Sequence, residues 1–310
     1  HYARSKETRL QSRDGFQRFI ERYPTLSIDV PENIYAVTER SSLLDFGTYK
    51  LIMAASGIEF IEMAEPHPLL KNVEGCLKVS ERVIMLDRAR RLFGALLGES
   101  ACLGEEVKCI SESEHSVSIN GEIFDYAIDA TWGHLRPLPI EVSFEPTLLL
   151  YYEAQVAHPA ITLVDGPLAS IYPTEDPKIF TLSSVPHTPL GRYNTPKEAK
   201  SKLRQINSSL VNDRKCLMEK QIVENLPAFN EVFAFAGVQL GIKTKPAGLA
   251  DDRSCHVFRE GRIFTVMSGK IDTIFFATER ILSLIEGDFS ASSSEVDASR
   301  IRNSIVKNYD

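Results

Sequence analysis

The chain has 310 residues, of which 43% are apolar and 25% are charged, and its formal net charge is −7. These values are typical of a globular protein large enough to bury a sizeable core. The acidic balance leaves no basic surface for nucleic acid, and no apolar run reaches the roughly 18 residues that a membrane span needs. We therefore expect neither nucleic-acid binding nor a membrane span.

The cysteines and the opening residues indicate the cellular compartment of the protein. The five cysteines are odd in number and form no CxxC pair; they are Cys76, Cys102, Cys109, Cys216 and Cys255. The opening residues are charged and lack the apolar stretch of a signal peptide. This pattern predicts reduced cysteines in a cytoplasmic protein. No cluster of His, Asp or Glu has metal-ligand spacing, so no metal site is expected.

The first sixty residues alternate helix and strand signals. Apolar residues on one helical face predict a helix over Ser5–Tyr23. A short strand is predicted over Ile34–Val37. A second helix spans Asp45–Ser56 and ends at Gly57, because glycine readily adopts the left-handed conformation that stops a helix. The strand Ile58–Met63 follows.

The next segment carries two strands, a helix and a hairpin. Val83–Leu86 is an apolar strand, after which Asp87 is predicted to cap a helix with an apolar stripe. Val107–Ile110 is the next predicted strand. Asn120-Gly121 between two β-rich runs predicts a two-residue hairpin. Its second arm continues through Ala130 into Thr131-Trp132-Gly133.

The second half begins with β-rich sequence. Four such runs between Leu148 and Ser183 predict an antiparallel sheet. Thr195-Pro196-Lys197-Glu198 is a strong helix start, with a cap, a proline in the first turn and a capping-box glutamate. A last helix is predicted over Asp272–Ile285. Together the elements predict an α/β region that is interrupted by an α+β insertion, with discontinuous domains.

Four segments, taken in order, resemble one family, although neither GxGxxG nor GxxxxGK[ST] occurs in the chain. The first two are His1–Ser5 and Ile128–Gly133. The third is Asp165–Pro167 with Ser170–Pro173, and the fourth is Lys243–Pro246 with Asp252-Arg253 and Ser268–Thr273. In this order they resemble the FAD-dependent oxidoreductases of the D-amino-acid-oxidase-like (DAO) superfamily. The glycine-rich turn of that family and its ribose-binding acid would lie before His1. We therefore expect this chain to lack the N-terminal dinucleotide-binding motif.

The resemblance implies a domain division. A Rossmann-like FAD-binding domain, truncated at its N-terminus, would comprise residues 1–28, 76–140 and 244–290. An inserted α+β substrate domain with an antiparallel sheet would comprise 29–75 and 141–243. The serine- and acid-rich residues 291–310 are expected to form a flexible tail.

The resemblance also implies a set of cofactor-binding residues around FAD. They are His1, Tyr2, Arg4, Ser5, Val107, Ala130, Thr131, Trp132, Gly133, Asp252, Ser268, Gly269, Lys270, Ile271, Asp272 and Thr273. Free N–H groups at the last helix start, together with Lys270, would favour negative charge on reduced flavin. The alternatives are an ordinary turn with an exposed lysine at 268–273, a core role for Trp132, and a plain buried strand at Val107.

Three residues are candidates for the chemistry. Tyr172 would position a substrate through its hydroxyl, His187 would accept a proton near neutral pH, and Lys243 would face the flavin or a substrate carboxylate. A surface histidine and a solvated lysine are the alternatives. The implied activity is FAD-dependent oxidation of an amine, an amino acid or a related small molecule by hydride transfer to flavin N5. A non-catalytic α/β module that binds a ligand or partner, and an inactive fragment of the flavoenzyme, remain as alternative functions.

Overall fold

A computed structural model describes residues 5–248 and 252–292 of the chain, which form four sheets and seven α-helices. The helices are α1 (Lys6–Arg22), α2 (Phe46–Ala55), α3 (Leu86–Leu97), α4 (Pro196–Arg204), α5 (Ser208–Ile222), α6 (Phe229–Val232) and α7 (Ile274–Ser292). The strands are β1 (Ser27–Asp29), β2 (Asn33–Thr38), β3 (Phe60–Glu62), β4 (Val73–Val79), β5 (Arg82–Ile84), β6 (Ile110–Glu112), β7 (Val117–Ile119), β8 (Glu122–Phe124), β9 (Ala127–Asp129), β10 (Val142–Ala154), β11 (Ala160–Val164), β12 (Ala169–Pro173), β13 (Ile179–Ser184), β14 (Phe233–Pro246), β15 (Cys255–Glu260) and β16 (Ile263–Ser268). This is the mixed α/β fold that the sequence predicts.

The largest sheet has eight strands in the order β14-β10-β13-β12-β11-β2-β4-β3, and only β11 and β2 run parallel in it. Successive side chains of a strand point to opposite faces. On one face, apolar residues of β10–β13 form the main core beneath α5 and α6. Representative members are Leu150, Ile171 and Leu182 from the strands and Ile222 and Phe229 from the helices.

The opposite face is polar over β10, β12, β13 and β14. The register places Tyr151 beside Thr181 and Thr181 beside Tyr172, and Tyr151 Oη donates to Gln239 Oε1 at 3.0 Å. At the far end of the sheet, α2 covers this same face by packing Tyr49 on β2 and β4. The polar part of the face is therefore the wall of a cleft and not a second core.

A small sheet of order β15-β16-β9 contains a parallel pair. Ile263 to Thr265 of β16 lie beside Ala127 to Asp129 of β9, with both strands running in the same direction. Helix α7 covers this sheet through contacts among Phe264, Val266 and Ile281. The segments that follow β9 and β16 consequently leave the sheet at the same edge.

The predicted hairpin is confirmed in the sheet β6-β7-β8. Asn120 and Gly121 join β7 to β8 with φ angles of 53° and 95°. Positive φ at both central residues is the geometry of a type I′ turn, which Asn-Gly favours.

Three local predictions around residues 85–130 are wrong. Val107 lies outside any strand, because the pairing starts at Ile110. Helix α3 begins at Leu86 behind Met85, which makes no side-chain cap, so Asp87 lies in the first turn and is not the cap. The sequence also predicts that the apolar residues before Thr131 are buried on both faces of their strand, but Ile128 of β9 is 55% exposed.

Several expected features concern the whole chain. Strands β4 and β14 cross the predicted domain boundaries at 75/76 and 243/244, and the domain division stays a prediction.

All five cysteines are free thiols. Within the described residues there is no group of His, Cys, Asp or Glu that would hold a metal ion. No helix in the described part of the chain is long and apolar enough to cross a membrane. Residues 293–310 of the predicted tail lie outside the described residues.

Candidate cofactor and substrate site

The N-terminus of α1 is fixed to the segment that leads into β15. Asp252 Oδ1 accepts hydrogen bonds from Ser5 Oγ and Thr8 Oγ1, both at 3.1 Å, and from the Ser254 backbone N–H at 3.0 Å. The Thr8 hydroxyl in turn accepts the Arg253 N–H at 2.8 Å. Two predicted cofactor residues, Ser5 and Asp252, are thus brought into direct contact across 247 positions of sequence.

The carboxylate of Asp252 is held in its charged form. Burial opposes ionisation, but the hydrogen bonds from Ser254, Ser5 and Thr8 outweigh it and bring the pKa of Asp252 far below its ordinary value. His256 Nε2 lies 3.0 Å from Asp252 Oδ2 and 3.2 Å from Ser254 Oγ. The cluster therefore locks the entry of α1 to β15, and Asp252 has a structural role whatever ligand lies nearby.

The turn after β16 is closed by its own hydroxyl groups. Ser268 Oγ and Thr273 Oγ1 each donate to the Lys270 carbonyl at 2.8 Å and contact one another. A Cβ at Gly269 would lie 2.9 Å from the Arg253 Cβ. Gly269 is therefore required for packing against Arg253.

Helix α1 packs against this turn with backbone in direct contact. A Cβ at Gly15 would lie 1.8 Å from the Asp272 carbonyl oxygen, so only glycine fits. Ser12 Oγ donates to Asp272 Oδ1 at 3.4 Å, and burial raises the pKa of Asp272. Lys270, Ile271 and Asp272 line a cavity of about 200 Å³ together with apolar residues of α1.

The turn after β9 lies at the same sheet edge. Asp129 Oδ1 accepts hydrogen bonds from the Thr131 N–H at 2.8 Å and from Thr131 Oγ1 at 2.6 Å. Trp132 has a φ of 54° and is half exposed, which excludes the alternative that it fills the core. Gly133 has a φ of 78° and packs against Leu138, so its backbone conformation explains the glycine.

The predicted cofactor segments therefore converge. Residues 130–133 follow β9 and residues 268–273 follow β16, and the two strands are parallel neighbours. Ligands of α/β sheets bind outside the carboxyl ends of parallel strands. The second carboxylate oxygen of Asp129 is buried and has no hydrogen-bond partner among the described residues, so it is free to accept a hydroxyl.

A larger cavity lies against the polar face of the eight-stranded sheet. It has a volume of about 640 Å³ and lies between β5 and the strands that carry Tyr151, Tyr172, Thr181 and Gln239. Tyr172, predicted as a substrate-positioning residue, lines this cavity. Its hydroxyl donates to Glu81 Oε2 at 3.3 Å.

Glu81 and Asp272 connect the cavities. Both side chains line the cavity of about 200 Å³ and a further cavity of about 570 Å³ that runs along α1. Arg82 and Ile84 line both the cavity of about 200 Å³ and the one of about 640 Å³. The predicted cofactor turn and the predicted substrate wall thus meet at the β4–β5 turn.

Lys243 lies on the polar face of the eight-stranded sheet but does not line the cavity of about 640 Å³. It lies on β14 opposite Glu145 of β10. The Glu145 side chain is almost fully buried, forms an ion pair with Arg192 at 2.8 Å and contacts Lys245. At this end of the sheet face that carries Tyr172, Lys243 and Lys245 therefore lie on the strand beside one buried carboxylate, Glu145.

Other predicted residues are not brought to this region or are not described. The His187 N–H donates to Ser184 Oγ at 3.3 Å, and its carbonyl accepts from Arg214 of α5, on the helix-covered side of the sheet. Burial and the nearby Arg214 charge lower the pKa of His187. Val107 lies near the sheet of β6, β7 and β8, because the N–H of its neighbour Lys108 donates to Asn120 Oδ1 at 2.9 Å. His1, Tyr2 and Arg4 lie outside the described residues.

Glu81 was not predicted from the sequence. It contacts Tyr35 and Tyr172, which are 46 and 91 residues away, so no local motif marks it. Gly15 was also missed, although a glycine inside a predicted helix is a usable sign of close packing.

The chain is similar to known flavoproteins in sequence and structure. No protein-family model matches it. It is 56% identical over 288 residues to the FAD-dependent monooxygenase FPY4 of Fusarium mangiferae, over 93% of this chain and 78% of that protein. It is 24% identical over 343 residues to the FAD-dependent monooxygenase kojA of Aspergillus flavus, over 100% of this chain and 77% of that protein.

Two solved structures illustrate the likeness of fold. The modified fructosyl peptide oxidase of Aspergillus nidulans matches with a TM-score of 0.67 at 13% identity, over 92% of this chain and 77% of that one. The glycine oxidase of Geobacillus kaustophilus matches with a TM-score of 0.61 at 16% identity, over 89% of this chain and 78% of that one. At these identities the structures establish the fold alone.

Proposed function

We propose that this chain, which belongs to the FAD-dependent oxidoreductases of the DAO-like superfamily, oxidises a small amine, amino acid or related molecule. The family resemblance found in the sequence is confirmed, and the expected lack of the N-terminal dinucleotide-binding motif stays a prediction. FAD is the cofactor of the family and its members are enzymes. The non-catalytic module is consequently not the favoured alternative.

One observation carries the proposal. Both predicted cofactor turns follow the carboxyl ends of the parallel pair β9–β16, and the second turn lines the cavity of about 200 Å³, which shares Arg82 and Ile84 with the cavity on the polar sheet face. The residues present suit FAD in two respects. The buried Asp129 oxygen without a partner is a ready acceptor for a ribityl or ribose hydroxyl. Lys270 supplies positive charge at the turn that lines the cavity.

Each residue then has a stated part in the proposal. The turns 130–133 and 268–273, with Ser5 and Asp252 as their support, hold the cofactor. FAD bound there would supply the hydride acceptor for oxidation of the substrate. Tyr172 orients the substrate in the cavity of about 640 Å³, and Lys243 draws a substrate carboxylate toward its end of the sheet face. His187 has no part in the proposal, because it lies on the side of the sheet that α5 covers.

Oxygen insertion is a second candidate reaction. The relative that is 56% identical carries the name FAD-dependent monooxygenase, whereas the solved neighbours include oxidases that act on amino-group substrates by name. The two reactions differ in the fate of dioxygen. A monooxygenase places one oxygen atom in the product, and an oxidase reduces dioxygen without incorporating it.

Anaerobic titration of the purified FAD-containing protein tests the proposal. We expect the flavin absorbance at ~450 nm to bleach on addition of an amine or amino acid from a substrate panel. Bleaching by alcohols alone, or by no compound of the panel, would refute amine oxidation. Turnover under 18O-labelled dioxygen then separates the two reactions, and label in the organic product would favour oxygen insertion.

A further inference from the structure

The turn that follows β9 has an unusual residue at its first central position. The His134 N–H donates to the Thr131 carbonyl at 3.1 Å, which closes a four-residue turn around Trp132 and Gly133. The φ angles of these two central residues are 54° and 78°. Positive φ at both central positions is the geometry of a type I′ turn, in which Gly, Asn and Asp predominate. Trp132 therefore has a backbone conformation that bulky residues rarely adopt.

Two asparagines share this backbone conformation, and the side chain of each one explains its presence. Asn120, with a φ of 53°, accepts the Lys108 N–H at 2.9 Å. Asn72, with a φ of 57°, donates from Nδ2 to the Glu224 carbonyl at 2.9 Å. The Trp132 side chain is half exposed and makes no hydrogen bond, ring stack or cation contact with any residue that the structure describes. These local contacts thus give no reason for a tryptophan at this position.

Hydrogen bonds hold the turn in its strained conformation. Asp129 Oδ1 binds the N–H and the hydroxyl of Thr131, and the same hydroxyl accepts the Leu135 N–H at 3.0 Å. For a residue with a Cβ, the left-handed conformation lowers the folding equilibrium constant by roughly five- to thirtyfold. Strain of this kind persists only where the surroundings fix it, and it is concentrated at ligand sites. The conformation of Trp132 consequently points to a contact with a ligand.

The neighbouring carboxylate indicates the chemistry of that ligand. Asp129 Oδ2 is buried and has no hydrogen-bond partner among the described residues. A hydroxyl acceptor close to an exposed indole suits a nucleoside, whose sugar hydroxyls donate and whose base stacks on aromatic rings. Trp132 lines none of the three cavities described above. Because the isoalloxazine ring has to meet the substrate in one of those cavities, the adenosine half of FAD is left for this turn.

We propose that Trp132 is a stacking platform for the adenine ring of FAD, and that its strained conformation is retained for this contact. Asp129 Oδ2 accepts a ribose hydroxyl of the same nucleoside. The inference rests on the proposed function and assigns one half of the cofactor to one side chain. Stacking of a base on an aromatic side chain raises affinity by about fivefold or more.

Two substitutions separate the aromatic ring from the backbone strain. Trp132→Asn suits the left-handed conformation and removes the ring. It should raise the folding equilibrium constant in the absence of FAD by about fivefold or more. It should also weaken the binding of FAD and of ADP by about fivefold or more. Trp132→Phe is the matched control, because it keeps both a ring and the strain, and it should keep the original stability and most of the affinity.

Four equilibrium constants are measured for each protein. Urea denaturation without FAD gives the folding equilibrium constant, and flavin fluorescence gives the dissociation constant of FAD. Displacement of bound FAD by ADP and by FMN gives the dissociation constants of the two halves of the cofactor. We expect Trp132→Asn to weaken ADP and to leave FMN unchanged.

The outcomes separate this inference from the proposed function. A weaker FMN with an unchanged ADP, equal losses in both variants, or FAD binding that neither variant changes overturns the inference and leaves the proposed function standing. A lower stability of Trp132→Asn also overturns the inference, because the turn is then not strained. Failure of the unaltered protein to bind FAD overturns both. The expected loss of ADP affinity, in a protein whose FAD no amine reduces, supports the inference and overturns the proposed function.

Discussion

The eight-stranded sheet and the region where α1 meets residues 252–273 are held together by different forces. The sheet buries a continuous apolar face beneath α5 and α6. The α1 region depends on single contacts, chiefly the hydrogen bonds to Asp252 and the backbone contact at Gly15. Apolar burial supplies most of the folding free energy, whereas single polar and steric contacts fix positions and can be removed one at a time.

The largest effect is expected in the core of the sheet. Phe229→Ala should lower the free energy of unfolding by about 3–5 kcal/mol, because it leaves a cavity at a fully buried ring. That ring stacks on Phe233 and meets Tyr152 edge-on. Urea denaturation measures the change, with Gln239→Ala on the polar face as a control within about 0.5 kcal/mol. If Phe229→Ala and Gln239→Ala lowered the free energy of unfolding equally, the apolar face would not be the main source of stability.

A smaller but more local effect is expected at the contact of α1 with the cofactor turn. Gly15→Ala should lower the free energy of unfolding by about 1–3 kcal/mol, since the new methyl group would meet the Asp272 carbonyl. It should also weaken FAD binding, because the Lys270–Asp272 turn must move. The free energy comes from urea denaturation and the FAD dissociation constant from flavin fluorescence. Normal affinity together with normal stability would show that α1 does not fix this turn.

The pH dependence of the free energy of unfolding tests the polar contacts of Asp252. Asp252→Asn should lower the free energy of unfolding by about 1–2 kcal/mol at neutral pH, because it weakens the hydrogen bonds from Ser5, Thr8 and Ser254. The folded pKa of Asp252 lies below the unfolded value of about 3.9, so the stabilisation is present above pH ~4 and is lost as the pH falls further.

The measurement is urea denaturation of both proteins between pH 7 and the acid limit of folding. Asp14→Asn is the control, since Asp14 is half exposed and its ion pair within the described part of the chain is with its neighbour Arg13. We expect that variant to change stability by less than about 0.5 kcal/mol. A difference between Asp252→Asn and the unaltered protein that does not shrink below pH ~4 would contradict the assigned role of the carboxylate.

The smallest effect has the opposite sign. Gly94→Ala in α3 should raise the free energy of unfolding by about 0.5–1 kcal/mol, because a Cβ there meets nothing within 4 Å and alanine favours helix. Gly94 and Gly15 both lie inside helices, but only Gly15 faces the Asp272 carbonyl. The difference in stability between the two alanine variants therefore measures the effect of that contact. Thermal unfolding of the two variants side by side provides the measurement, and a loss at Gly94 would mean that α3 has an unrecognised partner.

The sequence predicted elements whose signals are local. Ser5 caps α1, Thr195 and Glu198 form the predicted capping box, and Asn120-Gly121 forms the predicted turn. It failed where a local signal competes with pairing at a distance. Val107 has strand-like neighbours, but the partner strand β7 engages only from Ile110 onward.

The site was predictable only in part for the same reason. The turns at 130–133 and 268–273 carry small residues after apolar strands, and their order along the chain carried the family resemblance. Glu81 has no such mark, because its tyrosine partners come from two other strands. His187 was selected for its residue type alone, and residue type does not reveal which face of a sheet a side chain shares.

The central claim is that the turns after β9 and β16 together hold one flavin. Hydrogen–deuterium exchange of the protein with and without FAD tests it most directly, by comparing peptides that cover 129–133 and 268–273. We predict slower exchange in both segments when FAD is bound, with no change over α5. Protection of only one of the two segments, or of neither, would contradict the claim.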